Sequence, residues 1–99
     1  MPTYTIAFEP DAQADLKKLD PTTRAQIDKA LARIADNPNV GKPLKKPLAG
    51  LFSHHAVSKR YRIVYHIDDA SLTVTVFTIG ARQSGKRSDP YATTSRRRA

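Results

Sequence analysis

The chain has no cysteine among its 99 residues, which excludes disulfides and thiolate metal sites and fits a reducing cytoplasm. It has no apolar run approaching the ~20 residues that span a bilayer. Its opening, Met1-Pro2-Thr3-Tyr4, lacks the charged-then-apolar pattern of a secretory signal. A cytoplasmic protein with no membrane partner is therefore expected. No internal repeat occurs, and no glycine-rich loop is present to cradle a nucleotide phosphate. Acidic side chains are scarce in the second half: from residue 42 onward only Asp68, Asp69 and Asp89 stand against twelve Lys and Arg.

Basic charge is what the chain has in excess, +8 formally. Residues 1–41 net −1, with Lys17, Lys18, Arg24, Lys29 and Arg33 against six carboxylates, so residues 42–99 carry +9. A chain polarised in this way attracts a phosphate-rich partner, although a solubilising surface is the plainer alternative. At 39% hydrophobic residues, the length supports one small core and not two.

Thr3 to Phe8 alternates Tyr4, Ile6 and Phe8 with smaller residues and reads as a strand. Pro10 suits the first position of a helix whose apolar stripe is Ala12, Leu16 and Leu19. Asp20 can cap a second helix that starts at Pro21 and carries Ile27, Ala30, Leu31 and Ile34. Asn37-Pro38 stops it, because proline disfavours helical geometry in the residue before it. Residues 37–51, with three prolines and two glycines, read as a connection. Three strands follow, at Phe52 to Val57, Tyr61 to Ile67 and Leu72 to Ile79. In the middle one, Tyr61, Ile63, Tyr65 and Ile67 share one face and Arg62, Val64 and His66 the other. The expected fold is α+β: an N-terminal strand, a helical hairpin and a three-stranded antiparallel meander. Both helices then pack on one sheet face, leaving the second for a ligand. Residues 1–91 are expected to form the domain, and 92–99, ending Arg96-Arg97-Arg98, a disordered basic tail.

Taken in order, these segments resemble the RelE/ParE toxin superfamily. The stretches that carry the likeness are Asn37-Pro38-Asn39-Val40-Gly41-Lys42-Pro43-Leu44, Leu48-Ala49-Gly50-Leu51, Tyr61 to Asp69 (YRIVYHIDD), and Ile79 to Tyr91 (IGAR…Y). The resemblance implies a RelE-like toxin of a type II toxin–antitoxin system, a ribosome-dependent ribonuclease that cuts messenger RNA in the decoding site. Its partners would be the ribosome, the messenger and a cognate antitoxin; no metal or other cofactor is implied. Carried over position by position, the phosphate-handling arginines fall on Arg62 and Arg82, and a tyrosine that positions RNA or transfers a proton falls on Tyr91. Two features depart from the pattern. The second strand has no lysine where RelE-type members carry them, and Tyr91 lies nine residues beyond Arg82. ParE-type relatives share the fold and poison DNA gyrase without cutting RNA, which makes gyrase the alternative target. A non-enzymatic RNA-binding module is a third reading.

Metal-free RNA cleavage uses the neighbouring 2′-OH as nucleophile. It needs a base for that proton, cations for the charged phosphorane and an acid for the leaving 5′-oxygen. Guanidinium offers a planar fork for two phosphate oxygens, so Arg62 and Arg82 suit the electrostatic role; a salt bridge from Arg62 to Asp68, Asp69 or a helix carboxylate is the structural alternative. His54 and His55 can exchange protons near neutral pH, but neighbours on a strand point to opposite faces. His55 is preferred, because an ungapped count from Arg62 puts it in register with a family lysine. His66 is a third candidate. Tyr91 either stacks on a base or packs the tail against the sheet. Lys45, Lys46, Lys59, Arg60, Lys86 and Arg87 are candidate RNA-backbone contacts, with His54 beside them.

Overall fold

Pro10 and Pro21 each open a helix, and Pro38 follows the end of the second, so the helical hairpin is punctuated by proline. The computed structural model describes residues 3–46, 48–57 and 60–81 and positions 91, 94, 95 and 97. Strand β1, Thr5–Phe8, leads into helix α1, Pro10–Lys17, and helix α2, Pro21–Asp36. The Asp20 carboxylate accepts from the Thr23 N–H at 3.2 Å and the Thr23 hydroxyl at 2.6 Å, satisfying part of the open first turn of α2. A 3₁₀ turn, Pro38–Val40, follows.

The remaining strands are β2, Lys42–Pro43, β3, Phe52–Ala56, β4, Tyr61–Asp68, and β5, Thr73–Ala81. Sheet order is β1-β5-β4-β3-β2, with β1 parallel to β5 and all other pairs antiparallel. The α+β reading and the meander stand, and the sheet has five strands. The addition is β2, two residues inside the proline-rich connection; no periodicity can announce so short a strand. The parallel docking of β1 beside β5 is likewise a tertiary result.

One face of the sheet is covered by the helices. Ala12, Ile27, Leu31 and Ile34 pack there against Ile63, Tyr65, Val74, Val76 and Ile79. Tyr65 is fully buried, and its hydroxyl donates to the Pro38 carbonyl at 2.6 Å. The second face carries a smaller cluster of Leu48, Leu51 and Val64, with Leu44, Phe77 and Tyr91 against it. This corrects the expectation of an open second face: the connection after β2 and the C-terminal segment lie over part of it. Leu48 and Leu51 are buried there, with Leu44 packed against them.

A bulge makes the two faces compatible. Val64 pairs with Thr78 and Tyr65 with Val76, so Phe77 is the extra residue on β5. Phe77 and Thr78 then both serve the second face, while Val74, Val76 and Ile79 all reach the helical one.

The stretch read as a disordered tail contributes three described positions, Thr94, Ser95 and Arg97, all helical. Thr94 is fully buried and donates from its hydroxyl to that of Thr78 at 2.7 Å. A run of arginines suggests solvent, but a carboxylate on α1 receives one of them. Among the described residues no helix is long and apolar enough to cross a membrane.

Candidate functional site

Strand register puts His55 directly opposite Arg62, and Arg62 opposite Gly80 on β5. Directly opposed residues of an antiparallel pair project to the same side, so His55 and Arg62 share the second face. Ser53, two residues before His55, shares it too and pairs with Val64. Tyr91 arrives from the C-terminal segment, and its hydroxyl lies 3.1 Å from that of Ser53. Ser53, His55 and Arg62 thus form one row on this face, with Tyr91 seated on Ser53.

The members differ in exposure. His55 is exposed, Tyr91 half-buried, and Arg62 only 4% exposed, with Nη1 donating to the Tyr61 carbonyl at 3.2 Å. Asp68 and Asp69 stand at the far end of β4, about 20 Å from Arg62 at strand rise. They are engaged there: Asp68 accepts from the Ala70 and Ser71 amides and Asp69 from the Tyr4 hydroxyl. Gly80 adds no side chain to the row beside Arg62.

His54 is on the other side of the strand. It pairs with Ile63 on the helical face and is half-buried. Burial holds its ring below the ordinary histidine pKa, and repulsion from the Arg33 guanidinium and the His55 ring adds to this. A hydrogen bond to the Val40 backbone opposes the shift. His66 is four residues from Arg62, about 13 Å along the strand, exposed and opposite Thr75; it is not part of the gathering. Lys45, Lys46 and Arg60 are exposed in the connection and the β3–β4 turn. Arg82, Lys59, Lys86 and Arg87 lie outside the described residues.

Ser53 is the site member that sequence reading did not select. Its signal was present, since it alternates with His55 on a strand, but a lone serine draws no attention until Tyr91 is seen to meet it. Among the described residues, no three of His, Asp or Glu come together to hold a metal ion. What the row can do is bind a phosphate through a guanidinium, exchange a proton through an imidazole and stack a base on a phenol ring.

Residues 6–84 match the model of the family described as ParE toxin of the type II toxin–antitoxin system parDE. The toxin RelG of Mycobacterium tuberculosis is 40% identical over 81 residues, covering 80% of this chain and 91% of that protein. The mRNA interferase toxin RelE of Escherichia coli is 27% identical over 89 residues, covering 90% of each. In the crystal structure of the toxin–antitoxin complex RelBE2 from M. tuberculosis, one chain superposes with a TM-score of 0.71 at 39% identity. The match covers 81% of this chain and 99% of that one.

Proposed function

Because the chain belongs to the RelE/ParE superfamily of type II toxin–antitoxin toxins, we propose that it is a ribosome-dependent endoribonuclease that cuts messenger RNA in the cytoplasm. The observation that carries this reading is the pairing of His55 with Arg62 on one sheet face, with Tyr91 held at Ser53 beside them. The relatives named RelE and RelG, one of them an mRNA interferase, favour RNA over gyrase as the target.

In this mechanism Arg62, only 4% exposed, supplies positive charge beneath the scissile phosphate as charge builds on the phosphorane. The His55 imidazole accepts the 2′-OH proton, the oxygen attacks the adjacent phosphorus, and the bond to the 5′-oxygen breaks as that oxygen takes a proton from water. Products are a 2′,3′-cyclic phosphate and a 5′-hydroxyl. Tyr91 stacks on a neighbouring base. Arg82, one residue beyond β5, is assigned as the second phosphate cation. DNA lacks the nucleophile and is not cut.

The partner that restrains it is an antitoxin with an acidic segment, complementary to the +9 half of the chain. The toxin–antitoxin complex formed by the M. tuberculosis relative supports this.

Purified protein added to a cell-free translation reaction tests the proposal by primer extension. Breaks in register with codons are expected, absent without ribosomes and reduced roughly 10²-fold or more by His55→Ala. That residue is exposed, so its loss leaves the fold intact. Intact messenger rejects the reading and turns attention to gyrase.

A further inference from the structure

On the helical side of β3 lies a groove of about 490 Å³ lined by Gln26, Lys29, Ala30 and Arg33 of α2 and by His54 to Val57. This volume falls in the ~300–1,000 Å³ range of ligand sites. We propose that it is a second RNA-binding site, which takes the sugar–phosphate backbone of a single strand on Lys29 and Arg33.

Four observations carry the assignment. Gln26, Lys29 and Arg33, at i, i+3 and i+7, lie in one row along α2, so the helix presents an amide and two cations to the groove. Among the described residues neither Lys29 nor Arg33 makes an ion pair, both observed ion pairs belonging to Arg97. Among the described residues no carboxylate lines the groove, although the first 41 residues as a whole are net negative. The charge on the groove wall is accordingly positive; the Arg33 guanidinium also adds to the lowering of the His54 pKa, which burial dominates.

Topology supplies the fourth. Strand β2 covers β3 only at Phe52 and Ser53, so from His54 to Ala56 no strand among the described residues flanks β3 on that side. His55 both lines the groove and pairs with Arg62. A chain lying along α2 can therefore reach the sheet edge at His55, the strand partner of Arg62. An acidic peptide would satisfy the cations equally, but only RNA links the groove to the chemistry on the other face. In this respect the assignment rests on the nuclease reading.

A Lys29→Gln/Arg33→Gln variant tests it, since both side chains are exposed and their replacement leaves the core untouched. Two probes separate the sources of RNA: a fluorescent single strand of about 12 nucleotides, followed by anisotropy across a salt series, and purified ribosomes without messenger, followed by pelleting. The expected result is a loss of affinity of roughly tenfold for one probe and a salt dependence shallower by about 1–2 contacts. Loss with the oligonucleotide assigns the groove to messenger, and loss with ribosomes assigns it to ribosomal RNA. Unchanged affinity and slope for both overturn the proposal, as does binding of poly-glutamate that falls in the variant while RNA binding persists. A wild-type protein that binds RNA through the groove but cuts no messenger rejects the nuclease reading alone.

Discussion

Arg97 grips Asp15 across 82 positions of chain, with Nη1 2.8 Å from Oδ2 and Nη2 3.1 Å from Oδ1. The pair sits where β1 has ended. Beyond Val76, β5 has no strand on its outer side among the described residues, and its backbone is met by these two side chains. Asp15 accepts the Ile79 N–H at 3.1 Å, and Arg97 donates to the Phe77 carbonyl at 2.7 Å. An exposed edge is thereby closed without another strand, and the C-terminal segment is tied down a few residues beyond Tyr91.

Loss of that grip is measurable. Arg97→Ala is expected to lower stability by about 1–3 kcal/mol, the range for charge-assisted hydrogen bonds in a partly buried site. Arg97→Lys should recover only part of it, since an ammonium cannot reproduce the two-point geometry. Urea denaturation of the three proteins checks both statements; equal midpoints would show that the contact contributes nothing.

Gly41 is fixed by Tyr65. A Cβ at position 41 would run into the Tyr65 hydroxyl and ring, so Gly41→Ala is expected to destabilise by about 1–3 kcal/mol through overpacking. Tyr65→Phe alone leaves the Pro38 carbonyl without its 2.6 Å donor and costs about 1–2 kcal/mol. The double variant should lose less than the sum, because removing the hydroxyl relieves part of the clash. Strict additivity in thermal melts would reject the coupling. The same burial pushes the Tyr65 pKa up to about 12, so its phenol stays neutral well above the ordinary tyrosine value of ~10.

His54 should titrate below the ordinary histidine value of ~6.5, as burial and the nearby cations dictate. A histidine whose folded pKa is depressed binds fewer protons folded than unfolded. Its contribution to stability is therefore complete above the unfolded pKa and declines as pH falls from there through the lower folded value. NMR titration of the ring gives the pKa, and melts of wild type against His54→Gln across that window give the linkage. A His54 resonance titrating above 6.5 would contradict the assignment.

At the cutting site, Arg62→Lys keeps the charge and loses the fork; cleavage is expected to fall about 10²-fold or more. Tyr91 separates two roles. If it stacks, Tyr91→Phe keeps most activity while Tyr91→Ala forfeits a contact of ~1–3 kcal/mol. Primer extension on all three, beside thermal melts, distinguishes lost chemistry from lost fold. A Tyr91→Phe protein as inactive as the alanine variant would move Tyr91 from stacking to proton transfer.

Local chemistry determined much of this protein from the sequence alone. Proline and Asp20 set the helix starts, the 3.6-residue stripes chose Ile27, Leu31 and Ile34 for the core, and strict alternation in β4 sent Ile63 and Tyr65 one way and Arg62 the other. Each of these is decided within a few residues of chain, where spacing maps directly onto direction. Register, closure and neighbourhood were decided only in the folded chain. The bulge at Phe77, the two-residue β2, the hydroxyl contact of Ser53 with Tyr91, the Lys29–Arg33 row beside His54 and the Arg97–Asp15 grip all join segments distant in sequence. Such contacts depend on how the whole sheet twists and where its edges fall, and no local periodicity carries that information.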